Sequence, residues 1–406
     1  MTLAVFVAPM FSPAAAQMIE AAVCCDGVRV AVVAQEPLDR LPRAIAERLA
    51  GHWRVDDVTD AEQLEWAIRG LSATLGTVAH CFGAFEQLQV PLAEVRERLG
   101  IGGMSSATAH NFRDKARMKD VLRAAAVPVA RHQLIGKRED ALAFVRDVGF
   151  PVVVKPPAGA GARATHRIVD LRALDALLSA HPPSAADPLL AEEFLRGTEH
   201  SLETMSIAGV PVWHSLTHYR PTPLDVLENA WIQWGVVLPR EIDDARFDDI
   251  RATGDRALAA LGMSTGISHC EWFRRTDGSV AISEIAARPP GAQITTMMSR
   301  AHEFDFIAAW VRVMLFGVFT PPKRHFAVGT AYLRGQGNGR VQSIEGLDIV
   351  ERELGSMICD VRLPTIGHAP SGSYEGEGFI IVRHPETAVV ERALQRVLDV
   401  VRVRLA

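Results

Sequence analysis

Two glutamates and an arginine, Glu271, Glu284 and Arg288, stand in the stretch GISHCEWFRRTDGSVAISEIAARPPG at 266–291. Alternating runs rich in Ile, Val, Phe and Trp flank Asp277-Gly278, the strongest short-range signal for a hairpin with a two-residue loop. That register sets Glu271 directly opposite Glu284, and His269 opposite Ala286. Opposed Cβ atoms lie roughly 5 Å apart, and like charges there destabilise the pair unless something positive lies between them. A hard divalent cation suits the position, since Mg²⁺ takes one or two carboxylates and completes its shell with phosphate oxygens and water. Glu284, Ala286 and Arg288 alternate onto one strand face. An exposed hairpin carrying two solvated acids is the other reading of the same residues.

Upstream, Lys155 ends a Val-Val-Val strand and is followed by Pro-Pro-Ala-Gly-Ala-Gly-Ala-Arg up to Arg163. Small residues such as Gly159 and Gly161 let backbone N–H groups approach phosphate oxygens, and the lysine supplies a point charge. An ordinary hairpin loop is the alternative, although lysine at a buried strand end is uncommon without a partner. The strand LLAEEFL, with Glu192, Glu193, Phe194 and Leu195, leads into Arg196-Gly197-Thr198-Glu199. An extended segment leaving a sheet can offer its backbone to a base edge, with a carboxylate a few residues on for sugar hydroxyls. Lys115 lies in a helical stretch, where a solvated surface position is the commoner reading.

The elements that must position these residues alternate in type. Over 1–100, strand patterns at 3–8, 28–34 and 76–81 are separated by helical ones at 14–23, 42–50 and 61–71, the rhythm of a parallel sheet with crossover helices. Ligands of such sheets bind beyond the carboxyl ends of the strands. Residues 9–13 and 80–86, with His80 and Glu86, lie there, and no GxGxxG follows the first strand. A helix is expected over 105–126, a strand over 127–134, and a lid or substrate loop over 220–239, bearing Trp231 and Trp234. Helices at 245–261 and 295–316 flank the hairpin. The last region reads as strands at 327–333, 339–344, 358–363 and 378–382 and a helix at 385–403.

The 406 residues carry a net charge of −5 with both signs interspersed, which offers no basic footprint for nucleic acid. Five cysteines, without CxxC spacing, point away from a disulfide framework or zinc site and toward a reducing, cytoplasmic setting. Residues 1–22 lack the positive n-region of a secretory leader and read as strand, loop and helix. No apolar run reaches the ~20 residues of a membrane span.

Taken in order, Lys115, Lys155 with its Gly/Ala loop, Glu193-Phe194-Leu195, Glu199, Glu271, Glu284 and Arg288 resemble the ATP-grasp superfamily. The resemblance covers essentially the whole chain, and is closest to carboxylate–amine ligases such as L-amino-acid ligases and carnosine-synthase-like enzymes, with a biotin-carboxylase-like architecture. It implies an α/β and α+β chain: a Rossmann-like pre-ATP-grasp domain at 1–104, ATP-grasp lobes at 105–319 (small lobe about 127–195, large lobe about 196–319), and a C-terminal α+β region at 320–406 packed on the large lobe.

The resemblance further implies that ATP lies between the lobes. Lys115, Lys155, Gly159, Gly161 and Arg163 would meet its phosphates, Glu192, Glu193, Phe194 and Leu195 its adenine, and Glu199 its ribose. Glu271 and Glu284 would hold Mg²⁺ or Mn²⁺, and Arg288 would stabilise the transferring phosphoryl group. The partners implied are a small carboxylate, activated as an acyl phosphate, and an amine; a homodimer is allowed. His80, Glu86, Trp231, Trp234, Pro290 and Gly291 are the candidate substrate residues. Two departures stand out: Ala286 where many ATP-grasp enzymes carry Asn, and Ala162 where serine is frequent. An ATP-grasp ligase or carboxylase using bicarbonate, a thiol or a purine intermediate is the alternative, and a non-catalytic nucleotide-binding module a further one.

Overall fold

The structure, a computed structural model, describes residues 1–159, 164–229 and 231–406. Thr2–Ala8, Val28–Ala34, Gly51–Arg54 and Val78–Phe82 form an all-parallel sheet, with Thr2–Ala8 between Val28–Ala34 and Val78–Phe82. Its two central strands, Thr2–Ala8 and Val28–Ala34, are near-continuous buried apolar runs because helices cover both faces. The short Gly51–Arg54 strand has no sequence pattern of its own, and the helix expected over 42–50 shrinks to Arg43–Ala46.

A small antiparallel sheet follows, ordered His132–Ile135, Leu189–Glu193, Val152–Lys155, His166–Ile168. Facing it is an eight-stranded antiparallel sheet. In order its strands are Val280–Ala286, Gly266–Arg275, Gly197–Ile207, Val210–Arg220, Trp234–Leu238, Ala327–Leu333, Gly378–His384 and Ile358–Arg362. Its last three strands come from beyond residue 320, so the end of the chain extends this sheet. The C-terminal helix is Thr387–Val400, packing Val390, Leu394 and Val397 against it, and Arg402–Leu405 then forms a strand of a separate three-stranded sheet. Among the described residues no helix is long and apolar enough to cross a membrane.

Several expected elements differ. The helix at 105–126 is two, Ser106–Arg113 and Lys115–Ala124, because Asp114 leaves helical geometry (φ −93, ψ 111) and its carboxylate accepts from the N–H groups of Ala116 and Arg117. The strand expected at 127–134 is confined to His132–Ile135. The helix at 295–316 splits into Ile294–His302 and Phe306–Phe316, the second capped by Asp305. Residues 220–239, expected as a lid or substrate loop, hold the helix Pro223–Glu228 and the strand Trp234–Leu238, the strand being buried at every position in the middle of the large sheet.

The hairpin loop also differs. Arg275 N–H bonds to Ser279 O, and Gly278, at φ +85, donates to Arg275 O, so three residues rather than two make the turn. That alone would set Glu271 against Ser283. A bulge between Glu271 and Trp272 absorbs the extra residue, and Glu271 pairs with Glu284, Cys270 with Ile285 and His269 with Ala286. The two one-residue departures cancel.

Candidate active site

A cavity of about 460 Å³ opens between the small sheet and the large one. Lys115, Lys155, Gly159, Glu192 to Leu195, Glu199, Glu271, Glu284 and Arg288 all border it. Gly161 and Arg163 lie outside the described residues.

The break at Asp114 puts Lys115 at the first position of its helix, where its backbone N–H bonds to Pro157 O and its side chain turns into the cavity. Lys115 Nζ donates to Gly159 O at 2.9 Å and lies 2.9 Å from Glu284 Oε1. Lys155 Nζ lies 3.0 Å from Glu192 Oε2. One turn beyond Lys115, Lys119 is fully buried; its Nζ donates to Ser283 O at 2.5 Å and lies 3.3 Å from Glu192 Oε1. Sequence reasoning missed Lys119. The signal was its i, i+4 spacing from Lys115, which places both lysines on one helix face.

This network sets the charges. Burial works against the Glu284 carboxylate, but Lys115 and Lys155 outweigh it and hold its pKa at about 2. Burial likewise opposes the ammonium of Lys155, and Glu192 and Glu284 overcome it, so its pKa rises. For Lys119, burial prevails over Glu192 and the pKa falls. Glu199 is pushed well above the usual carboxylate range by burial and by the nearby Glu271. Beneath the pair, Glu203 is completely buried and accepts from Ser201 Oγ (2.5 Å) and Thr217 Oγ1 (3.1 Å), while its Oε1 lies 2.8 Å from His269 Nδ1. His269 Nε2 lies 3.5 Å from Glu271 Oε1. Burial opposes the imidazolium, yet the bonds to Glu203 and Glu271 raise the His269 pKa to about 9. A cationic histidine thus stands opposite Ala286.

At the other end, Val153, Phe194, Leu195 and Phe273 give an apolar slot. The Glu192 carboxylate is turned to the two lysines, and that of Glu193 is tied to Arg131 and Arg275. Arg167, from the small sheet, lies over the Phe194 ring at 4.7 Å and pairs with Asp225 at 2.5 Å, bridging the lobes beside the slot.

The expected substrate residues separate. Trp234 and Gly291 border the cavity, Trp234 being buried and stacked on Tyr332 at 4.5 Å. Trp231 is exposed and borders a different cleft. Pro290 is buried outside the cavity lining. His80 borders a smaller cavity of about 250 Å³, which shares Arg288 with the main one. Glu86 is buried and bonded to Arg288.

Two lobes, one built on each antiparallel sheet, border this cavity. Residues 120–304 match the model of the ATP-grasp domain. The chain is 25% identical over 292 residues to an L-arginine-specific L-amino acid ligase of Bacillus subtilis, an alignment covering 70% of this chain and 69% of that protein. An L-amino acid ligase structure from Bacillus licheniformis superposes with a TM-score of 0.79 at 18% identity, over 100% of this chain and 99% of that one. N5-carboxyaminoimidazole ribonucleotide synthetase from Thermotoga maritima gives 0.72 at 18% identity, over 100% of both chains.

Proposed function

We propose that the chain uses ATP to activate a small carboxylate, an amino acid or similar metabolite, as an acyl phosphate and joins it to an amine, giving an amide or dipeptide. The observation that carries this reading is the facing pair Glu271 and Glu284, with Lys115, Lys155 and Arg288 bordering the same cavity. Lys115 and Lys155 neutralise phosphate oxygens, and Gly159 borders the same cavity. Residues 192–195 hold the adenine and Glu199 the ribose. Glu271 and Glu284 hold Mg²⁺ or Mn²⁺, which when bound withdraws charge from the phosphate oxygens. The donor set fits: two facing carboxylates are what Mg²⁺ takes when phosphates complete its shell, and no cluster of three or more metal-ligating side chains occurs among the described residues.

The carboxylate oxygen of the substrate attacks the terminal phosphorus and ADP leaves; the amine then attacks the acyl carbon and phosphate leaves. Arg288 steadies the negative charge that builds in both steps. Tyr219, Trp234, Ala292, Ile294 and Tyr374 wall the far end of the cavity, which suits a carboxylate with an apolar or aromatic body. That wall and the relationship to the arginine-specific ligase favour an amino acid over a bicarbonate or purine-type partner. The test is ADP release with pairs of amino acids: release that requires both a carboxylate and an amine is expected. ATP binding without release from any pair would sink the reading and leave a nucleotide-binding module.

A further inference from the structure

Arg288 is gripped from a distant part of the chain. Glu86 follows the strand Val78–Phe82 of the parallel sheet and is only 6% exposed. Its Oε2 accepts from Arg288 Nε at 3.0 Å and Nη2 at 2.8 Å, and Arg288 Nη1 donates to Pro289 O at 3.0 Å. A guanidinium has five N–H donors in a rigid fork, so these three bonds leave one hydrogen on each terminal nitrogen. The other oxygen of Glu86 accepts from Arg113 Nη1 at 3.2 Å, and Arg113 Nη1 also donates to Gly159 O at 3.2 Å, the carbonyl that Lys115 engages. One carboxylate thus sits between two guanidiniums. The positive charge it leaves uncompensated is available to an anion in the cavity.

We propose that Glu86 is the positioning residue of Arg288. It fixes the plane of the guanidinium so that the two remaining donors form a fork for the transferring phosphoryl group, and through Arg113 it ties that orientation to Gly159, where the phosphate loop begins. This rests on the role assigned to Arg288 above. Arginine held on two sides by packing and hydrogen bonds loses little freedom in the reacting complex, and misplacement of such a group by about 1 Å can cost on the order of 100-fold in rate. An additional consequence is that nucleotide affinity, which depends on the lysines and the apolar slot, is largely independent of Glu86.

A double-mutant cycle tests the proposal, with turnover read as ADP release from ATP in pooled amino acids and affinity read as ADP binding by calorimetry. Glu86→Ala is expected to lower kcat about 100-fold and to leave the ADP dissociation constant within about threefold. Glu86→Asp recovers part of the loss. In the Arg288→Ala background, Glu86→Ala adds less than about threefold, because the group it positions is gone. Should Glu86→Ala not fold, Glu86→Gln in the same cycle supplies the comparison. Full turnover in Glu86→Ala, multiplicative losses in the double variant, or a loss of ADP affinity matching the loss of kcat would each overturn the proposal. Full turnover in Arg288→Ala would overturn the phosphoryl-transfer role of Arg288, and this proposal with it.

Discussion

The strands Gly197–Ile207 and Gly266–Arg275 present opposite chemistries on their two faces. The cavity face carries Glu199, Ser201 and Glu203 beside Phe273, Glu271 and His269; the other carries His200, Leu202 and Thr204 beside Trp272, Cys270 and Ser268. Both faces are shielded from solvent, but the first buries charges and the second buries neutral groups. On the cavity side three carboxylates meet a cationic partner, Lys115 for Glu284 and His269 for Glu203 and Glu271, and Glu199, which meets none, has its pKa pushed well up by burial and by Glu271. On the far side the charged neighbours are arginines, with Arg274 over the Trp272 ring at 5.2 Å, and they disfavour a second positive charge. His200 and His218 stack edge to face at 4.8 Å, and burial drives their pKa values down to about 3 and about 4. A buried charge survives only where the fold delivers its counter-charge. The period of two that separates the faces is why a single strand can line a cavity and a core at once.

The comparison breaks most visibly at Glu284. Glu284→Gln should lower ADP release by about 1,000-fold or more and also lower the thermal unfolding temperature, since the amide keeps the shape but leaves buried Lys115 without its counter-charge. Lys155→Met should weaken ATP binding by about 10- to 100-fold, measured by titration calorimetry, through loss of a charge-assisted contact. On the far face the signs exchange. Leu202→Ala, at a position 1% exposed, should cost about 2–5 kcal/mol in denaturant unfolding. Its KM for ATP should stay unchanged, and a large KM change would show that the faces are not separable.

A further effect concerns pH. His200 and His218 have folded pKa values below the ordinary 6.5, so the unfolded chain binds more protons as pH falls, and stability decreases from about pH 6.5 toward pH 3–4. His218→Phe should flatten that decline by on the order of 3 kcal/mol at most, read from urea unfolding at pH 7 and pH 4. An unchanged slope would place the acid-sensitive groups elsewhere.

Much of this contrast is legible in the chain itself. Glu271 faces Glu284 because alternation and an Asp-Gly signal constrain any hairpin here, although the loop has three residues and only the bulge at Ser283 restores the pairing. The lysine at 155 and the glycine at 159 are visible because a charged strand end and a small-residue loop are local features. Glu203 is not visible in that way, and Lys119 shows only through its spacing from Lys115. Their partners are 164 residues away for Lys119 and Ser283, and 66 for Glu203 and His269, and sequence patterns report only neighbours. Trp234 misled for a related reason. A Pro-rich, Trp-bearing segment looks like a loop locally, yet its five residues from Trp234 to Leu238 pair between Val210–Arg220 and Ala327–Leu333, an arrangement that only the assembled sheet dictates.

The central claim is that Glu271 and Glu284 hold a divalent cation together with nucleotide phosphates, and calorimetric titration of ADP with and without Mg²⁺ tests it most directly. The account predicts that Mg²⁺ tightens ADP binding at least about tenfold in the parent chain and not at all in Glu284→Gln, with metal-free ADP affinity similar in the two. An equal effect of Mg²⁺ in both proteins would contradict it.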